Sequence, residues 1–284
     1  MAESVLSTTD PRAAGSGTPR WLWLLIGYLV TFGIIAVIWE GSKAIFAIPD
    51  YKLPHLAQIV EAFFRPTPKG PTWLILLQDA LYTAFEAFVG FTLGSITGFL
   101  IAALFQRYAP VRRGFLPYVI ASQTVPIIAV APMIVVGMGS LGAPPWLSKS
   151  IIAAYLTFFP VVINVLRGLE SVDRDALLLM RSYAATDNQI FRLLRLPASV
   201  PYLFTALKIS ATASIIGAII GELPVGSTRG IGVQIVVGSQ YNTFNPGFLW
   251  ATILTAALLG MIAYAVVALV ERRIVRWKRP EREV

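Results

Sequence analysis

Residues that ordinarily carry chemistry are few and scattered in this chain. One histidine, His55, and no cysteine occur among 284 residues, so a thiolate metal site, a disulfide or a histidine-based triad has almost nothing to draw on. His55 stands alone in a connecting segment and is not read as a ligand. No glycine-rich loop of the kind that cradles nucleotide phosphates with a lysine is present, so the sequence offers no P-loop nucleotide site. An intramembrane protease or lipid phosphatase needs a nucleophile with its base, or several ionisable groups at matched depth. The sequence offers neither, and it has no candidate catalytic residue, metal ligand or resident cofactor. What remains are isolated polar groups in apolar surroundings. Glu222 is a candidate for a translocation path or gate, because a carboxylate near the bilayer is costly and by default functional; its bland alternative is a solvated acid or one paired with Arg229. Gln123 and Asn164, with Ser122 and Thr124, could line a path or simply bond a neighbouring helix. Glu86 is expected to be solvated at a membrane interface, and Lys208 to snorkel toward the inner surface.

The elements that position these groups are membrane helices. Apolar residues make up 56% of the chain and charged ones 13%, which exceeds the apolar content of an ordinary soluble domain. The net charge of +8 is spread over short segments between apolar runs, so it reads as topology and not as a nucleic-acid surface. Crossing ~30 Å of hydrocarbon takes roughly 20 helical residues. The expected organisation is a disordered polar tail at 1–20, a first span at 21–39 and an outer loop at 40–81. A membrane-spanning core at 82–270 and a basic tail at 271–284 complete it. Within the core, spans are expected at about 82–105, 116–138, 151–166, 200–220 and 246–270, giving an all-α polytopic fold of six helices. Gly90, Gly94 and Gly98 form one stripe on the second span and imply close helix packing. Pro126 and Pro132 are expected to kink the third. Residues 54–64 have helical periodicity but are too short to cross, so they read as an interfacial helix.

Lys and Arg are retained on the cytoplasmic side, and 16 of the 23 fall on one set of connections when both termini are placed inside. The inner connection at 172–197 then contains two helix-forming pieces where a turn would suffice. Asp173 is the expected N-cap of the first, Ala184 and Ala185 form the break, and Thr186 with Gln189 makes a T-x-x-Q capping box for the second. Leu196 precedes Pro197 and is expected to end it. Charges of both signs surround the apolar run Ala176 to Met180, a pattern that suits a protein groove.

The stretch "RSYAATDNQIFRLLRLPASVPYLFTALKIS" resembles the EAA loop of binding-protein-dependent ABC permeases, whose pattern is Glu-Ala-Ala, three residues, Gly, nine residues, Ile, one residue, Leu-Pro. Leu196 and Pro197 supply the Leu-Pro, Ala184 falls where the pattern has Gly, Leu178 where it has Glu, and Leu194 where it has Ile. "FFPVVINVLRGLESVD", "IIGELPVGSTRGIG" and "LVERRIVRWKR" resemble the nitrate/sulfonate/taurine branch in order and spacing, over roughly residues 75–279.

This resemblance implies the permease fold of type I ABC importers in a bacterial inner membrane, with both termini cytoplasmic. It further implies an ATPase dimer that binds ATP and Mg and docks on the 172–197 loop. Leu178, Met180, Arg181, Ser182, Ala184, Ala185, Thr186, Gln189 and Pro197 are the candidate coupling residues. The other implied partners are a second permease, identical or paralogous, and a periplasmic or lipid-anchored binding protein; no nucleic acid is involved. The branch imports anions such as nitrate, sulfonates and taurine, and also aromatic vitamin precursors such as hydroxymethylpyrimidine and riboflavin. The competing reading is a secondary transporter without an ATPase, for which an internal repeat and buried ionisable pairs are the expected marks.

Overall fold

The computed structural model describes residues 20–275 apart from 69, 225 and 226. The polar tail expected at the amino terminus, and most of the basic tail at the other end, lie outside the described residues. Contacts divide the chain into a unit ending at Leu56 and a larger one starting at Ala57. In the first, helix α1 (Arg20–Ile45) is followed by a segment folded back on its last turns. Trp39 Nε1 donates to the Pro54 carbonyl at 2.9 Å, Lys43 Nζ donates to the Leu53 carbonyl at 2.6 Å and pairs with Asp50, and Glu40 accepts from the Leu56 N–H at 2.8 Å. His55, expected to stand alone, pairs with Glu40 at 2.7 Å.

The remaining elements are α2 (Leu56–Phe64), a minimal antiparallel pair of β1 (Pro66–Thr67) and β2 (Gly70–Pro71), and the helices α3 (Thr72–Arg107), α4 (Ala109–Ser122), α5 (Ile127–Ser140) and α6 (Pro145–Glu170). These lead into α7 (Arg174–Ser182), α8 (Asp187–Ile190), a π-helical turn at Phe191–Arg195, α9 (Leu196–Glu222), α10 (Ile231–Gln240) and α11 (Pro246–Ile274). Among the described residues five helices are long and apolar enough to cross a membrane, and the bent pair α4–α5 makes a sixth crossing if counted as one.

The core is the packing of α3, α6 and α9. In lipid, apolar side chains gain little by leaving one apolar surround for another, so association depends on close fit. The glycine stripe of α3 provides it. A Cβ at Gly94 would lie 2.5 Å from the Ala154 carbonyl of α6, and one at Gly98 would lie 2.7 Å from that of Phe158. Gly217 of α9 presses on Ala153 of α6, and Gly168 of α6 on Ser199 and Tyr202 of α9. The middle helix is thus held at backbone distance on both sides. Toward the α7 end, Ala102, Phe105, Val161, Val165, Leu169 and Ala206 fill the space between the three.

Two expectations are corrected. The third span is not a kinked single helix: α4 and α5 meet at 95° across residues 123–126. Pro126 has no N–H to offer the Ser122 carbonyl one turn back, and that carbonyl instead accepts the Tyr155 hydroxyl of α6. Pro132, by contrast, stays within α5. Nor does the helix end at Leu196. The Leu196 N–H bonds the Phe191 carbonyl, five residues back, and this widened turn absorbs Pro197, so one helical stretch runs from Asp187 to Glu222.

The close contacts make a prediction. Gly94→Ala should lower the thermal midpoint of the detergent-solubilised protein, at a cost of about 1–3 kcal/mol for overpacking. Gly114→Ala, where the added Cβ meets nothing within 4 Å, should leave the midpoint unchanged or slightly raised.

Candidate functional site

At one end of the α3–α6–α9 core lies the segment joining α6 to α9. Helix α7 has no buried residue, and it presents Leu178, Leu179 and, just beyond it, Tyr183 to the exterior, the last 79% exposed. The helix ends in two hydrogen bonds, Ala184 N–H to the Arg181 carbonyl at 2.9 Å and Ala185 N–H to the Met180 carbonyl at 3.0 Å. This is the Schellman arrangement, which puts the residue after the cap in the left-handed region. Ala184 occupies it at φ 53°. The pattern's glycine therefore has a geometric reason: without a Cβ the same turn forms free of the strain that Ala184 carries.

Thr186 then starts α8 with a complete capping box, its hydroxyl accepting from the Gln189 N–H at 3.3 Å and its own N–H donating to the Gln189 side chain at 2.8 Å. Asp173 begins α7 with no side-chain bond of its own. Arg107 at the end of α3 pairs with Asp187 at 3.0 Å, Arg195 donates to the Leu169 carbonyl at 3.1 Å, and Arg112 pairs with Glu170. Arg181 borders a cavity of about 440 Å³ shared with Arg107, Asp187 and Arg195. Ser182 bonds back to the Leu179 carbonyl, and Pro197 is exposed on the first turn of α9. The segment is a short exposed helix, then a capped turn at 183–186, then the start of a spanning rod at Asp187.

The opposite end of the core contains a buried polar cluster. Asp79, Thr83 and Glu86 lie on one face of α3 at spacings of four, three and seven residues, as a helix requires. Glu222 closes α9 at 1% exposure; the Thr83 hydroxyl lies 2.7 Å from its Oε1, and the Gly232 N–H donates to Oε2 at 2.5 Å. The Ile231 N–H donates to Thr83 Oγ1 at 2.9 Å. Asp79 accepts from the Gly230 N–H at 3.2 Å and from Gln234 Nε2 at 2.6 Å. Gly230 sits at φ 112°, and a Cβ there would collide with the Glu222 carboxylate. A strained glycine is thus what lets the start of α10 close over the acid.

Glu86 is fully buried, not solvated as expected from sequence. Lys149 Nζ of α6 is 3.7 Å away, and among the described residues neither carboxylate oxygen of Glu86 makes a hydrogen bond. Tyr82 and Glu222 are its other polar neighbours. Glu222 itself is neither solvated nor paired with Arg229, whose guanidinium lies over the Tyr82 ring at 5.1 Å. Lys208 reaches the last turn of α11 and pairs there with Glu271 at 2.7 Å. Gln123 is exposed at the α4–α5 bend, and Asn164 donates to the Pro160 carbonyl of its own helix at 2.8 Å. The three path candidates therefore sit in three different settings. Sequence reasoning missed Asp79, Thr83, Lys149 and Gln234; the four-three spacing of Asp79, Thr83 and Glu86 was the available signal.

Comparison with known proteins agrees with this architecture. Residues 90–276 match the family described as "Binding-protein-dependent transport system inner membrane component". The riboflavin transport system permease protein RibX of Chloroflexus aurantiacus is 27% identical over 91% of this chain and 92% of its own length. The formylaminopyrimidine transport permease protein ThiX of Halalkalibacterium halodurans is 31% identical over 88% and 95% respectively. Among solved structures, a chain of the "amino acid ABC transporter with histidines" superposes with a TM-score of 0.59 at 17% identity, covering 71% of this chain and 95% of that one. At that identity it speaks for the fold alone.

Two outcomes follow from the geometry. Ala184→Gly should relieve the left-handed alanine and stabilise the protein by about 1 kcal/mol, while Ala184→Val should destabilise it, both read from chemical unfolding. Lys149→Met should cost about 3–5 kcal/mol by leaving a buried carboxylate without its cation, and adding Glu86→Gln should restore most of the lost folded yield.

Proposed function

The chain belongs to the binding-protein-dependent transport system inner membrane components, and from that premise we propose how it couples to its ATPase and what class of solute it passes. It is the multi-pass membrane permease of an ABC importer, and in this family ATP is hydrolysed by partner subunits. The coupling reading is that an ATPase dimer, carrying ATP and Mg, grips α7 and the Ala184 turn from the cytoplasm. The observation that carries it is the unbroken helical stretch Asp187–Glu222, 36 residues long. At 1.5 Å per residue it reaches about 54 Å, well beyond the ~30 Å of hydrocarbon. A push on α7 passes through the capped turn at 183–186 and is then delivered to the far end of the core along one helical stretch. Leu178, Leu179, Tyr183 and Ala185 form the gripped face, and Thr186 with Gln189 holds the turn. Where the family pattern has a glutamate this chain has Leu178, so the grip here is more apolar.

A second permease, identical or paralogous, would face the bent pair α4–α5 and enclose the path with it, and a periplasmic or lipid-anchored binding protein would load it from the opposite face. ATP shifts the inward–outward equilibrium by binding the closed ATPase dimer more tightly than the open one. The solute is a planar, weakly charged heterocycle. From Gly114 to Ser148 the chain has no Asp, Glu, Lys, Arg or His; the cations of the bent pair, Arg112 and Arg113, stand at the start of α4, so none lies at the break or along α5 to attract nitrate or a sulfonate. RibX and ThiX, by their names, are permeases for riboflavin and formylaminopyrimidine. Glu222 and Asn164 belong to the framework of this path, Glu222 by locking the end where the solute enters.

Leu179→Asp and Ala185→Asp should each abolish co-purification of the ATPase and ATP-driven uptake while leaving membrane insertion intact; survival of both would contradict the dock. In proteoliposomes containing permease, ATPase and binding protein, riboflavin or formylaminopyrimidine should be accumulated and ethanesulfonate excluded. The reverse order would overturn the solute class.

A further inference from the structure

We infer that the Gln123 carboxamide, set out by the break between α4 and α5, is a solute-binding group that reads the hydrogen-bonding edge of a heterocycle inside the membrane. The inference rests on the reading that α4–α5 lines the path. Irregular backbone at membrane depth is tolerated only when it is buried in protein or faces a watery cavity. The break at 123–126 is not buried: Gln123 and Thr124 are exposed, and Val125 is 43% exposed. Its hydroxyls are spent locally, Ser122 on the Val119 carbonyl at 2.7 Å and Thr124 on the Ala121 carbonyl at 2.8 Å. Its backbone N–H groups turn back in the same way, Gln123 to Ile120 at 3.1 Å and Thr124 to Ala121 at 3.0 Å.

The Gln123 side chain alone is left over. Among the described residues its amide makes no hydrogen bond, although it lies within the charge-free stretch 114–148. Leaving such an amide against hydrocarbon costs roughly 2–7 kcal/mol, so its face has to be polar. The site is also braced from behind: the Tyr155 hydroxyl of α6 holds the Ser122 carbonyl, which fixes the backbone immediately before Gln123. A carboxamide presents a donor beside an acceptor. That pair matches the adjacent donor and acceptor on the rim of an aminopyrimidine or a lactam ring, as glutamine matches adenine in nucleic-acid recognition. A simple sulfonate or nitrate has acceptors only and leaves the amide oxygen unmatched.

The chain has no cysteine, so Gln123→Cys introduces a single thiol. In proteoliposomes containing permease, ATPase and binding protein, a small cationic methanethiosulfonate should modify Cys at 123 at least about tenfold faster than Cys from Ala102→Cys at a fully buried site. Formylaminopyrimidine or riboflavin with ATP should slow that reaction. Gln123→Leu should reduce uptake about tenfold or more, with Gln123→Asn intermediate, while ATPase still co-purifies. An unreactive thiol, wild-type uptake by Gln123→Leu, or loss of ATPase association in that variant would overturn the assignment. If the wild-type complex accumulates neither heterocycle, the solute class fails by itself, and thiol reactivity still decides whether Gln123 faces the path.

Discussion

The structure depends on the backbone-to-backbone approach of α3, α6 and α9. Gly90, Gly94 and Gly98 on one side of α6, and Gly217 and Gly221 on the other, remove the side chains that would keep the helices apart. Since lipid supplies no hydrophobic push between helices, this fit and the polar bonds across it hold the core together. At one end the fit is closed by Glu222, Thr83 and the N–H groups of residues 231–232, and at the other by Arg107–Asp187 and Arg195 on the Leu169 carbonyl. Three helices are thus tied at both ends and in the middle.

Elsewhere the fit is looser. The α4–α5 pair meets at 95° and is pinned to the core at its corner by Tyr155, and α7 projects with no buried residue at all. The two are complementary. On the proposed function, one is the surface on which the ATPase acts and the other the wall that answers it, with the packed core between them. The Glu86–Lys149 pair fits the same scheme: a buried ion pair at 3.7 Å with unsatisfied oxygens contributes little to net stability, yet it penalises any shear of α3 past α6.

Much of this was legible in the sequence because it is local. The glycine stripe at intervals of four and the T-x-x-Q box each act within a few residues and are found where expected. Of the apolar runs, by contrast, the second starts at Thr72, inside the expected outer loop, and the third is broken in two. The end of the docking helix was misread because the rule that a residue before proline leaves the helix presumes regular turns; a single π turn at Phe191–Arg195 lets Pro197 pass inside. Glu222 and Thr83 are 139 residues apart, and nothing in either neighbourhood announces the bond. For the same reason Glu86 read as a solvated acid: partners on other helices decide the fate of an ionisable group, and only the packing supplies them. The 95° angle likewise depends on Tyr155, 29 residues beyond Pro126, and not on Pro126 alone.

The central claim is that the second helix of the proposed docking loop and the α9 span move as one rod. It is tested most directly by the distance between spin labels on Asn188→Cys and Ile209→Cys in the assembled transporter, measured by pulsed electron resonance with and without a non-hydrolysable ATP analogue. At about 1.5 Å per residue the backbone separation is roughly 30 Å, and the distribution should stay narrow and unshifted while the ATPases close. A shift or broadening beyond the width set by the labels would show a joint between loop and span, and would contradict the account.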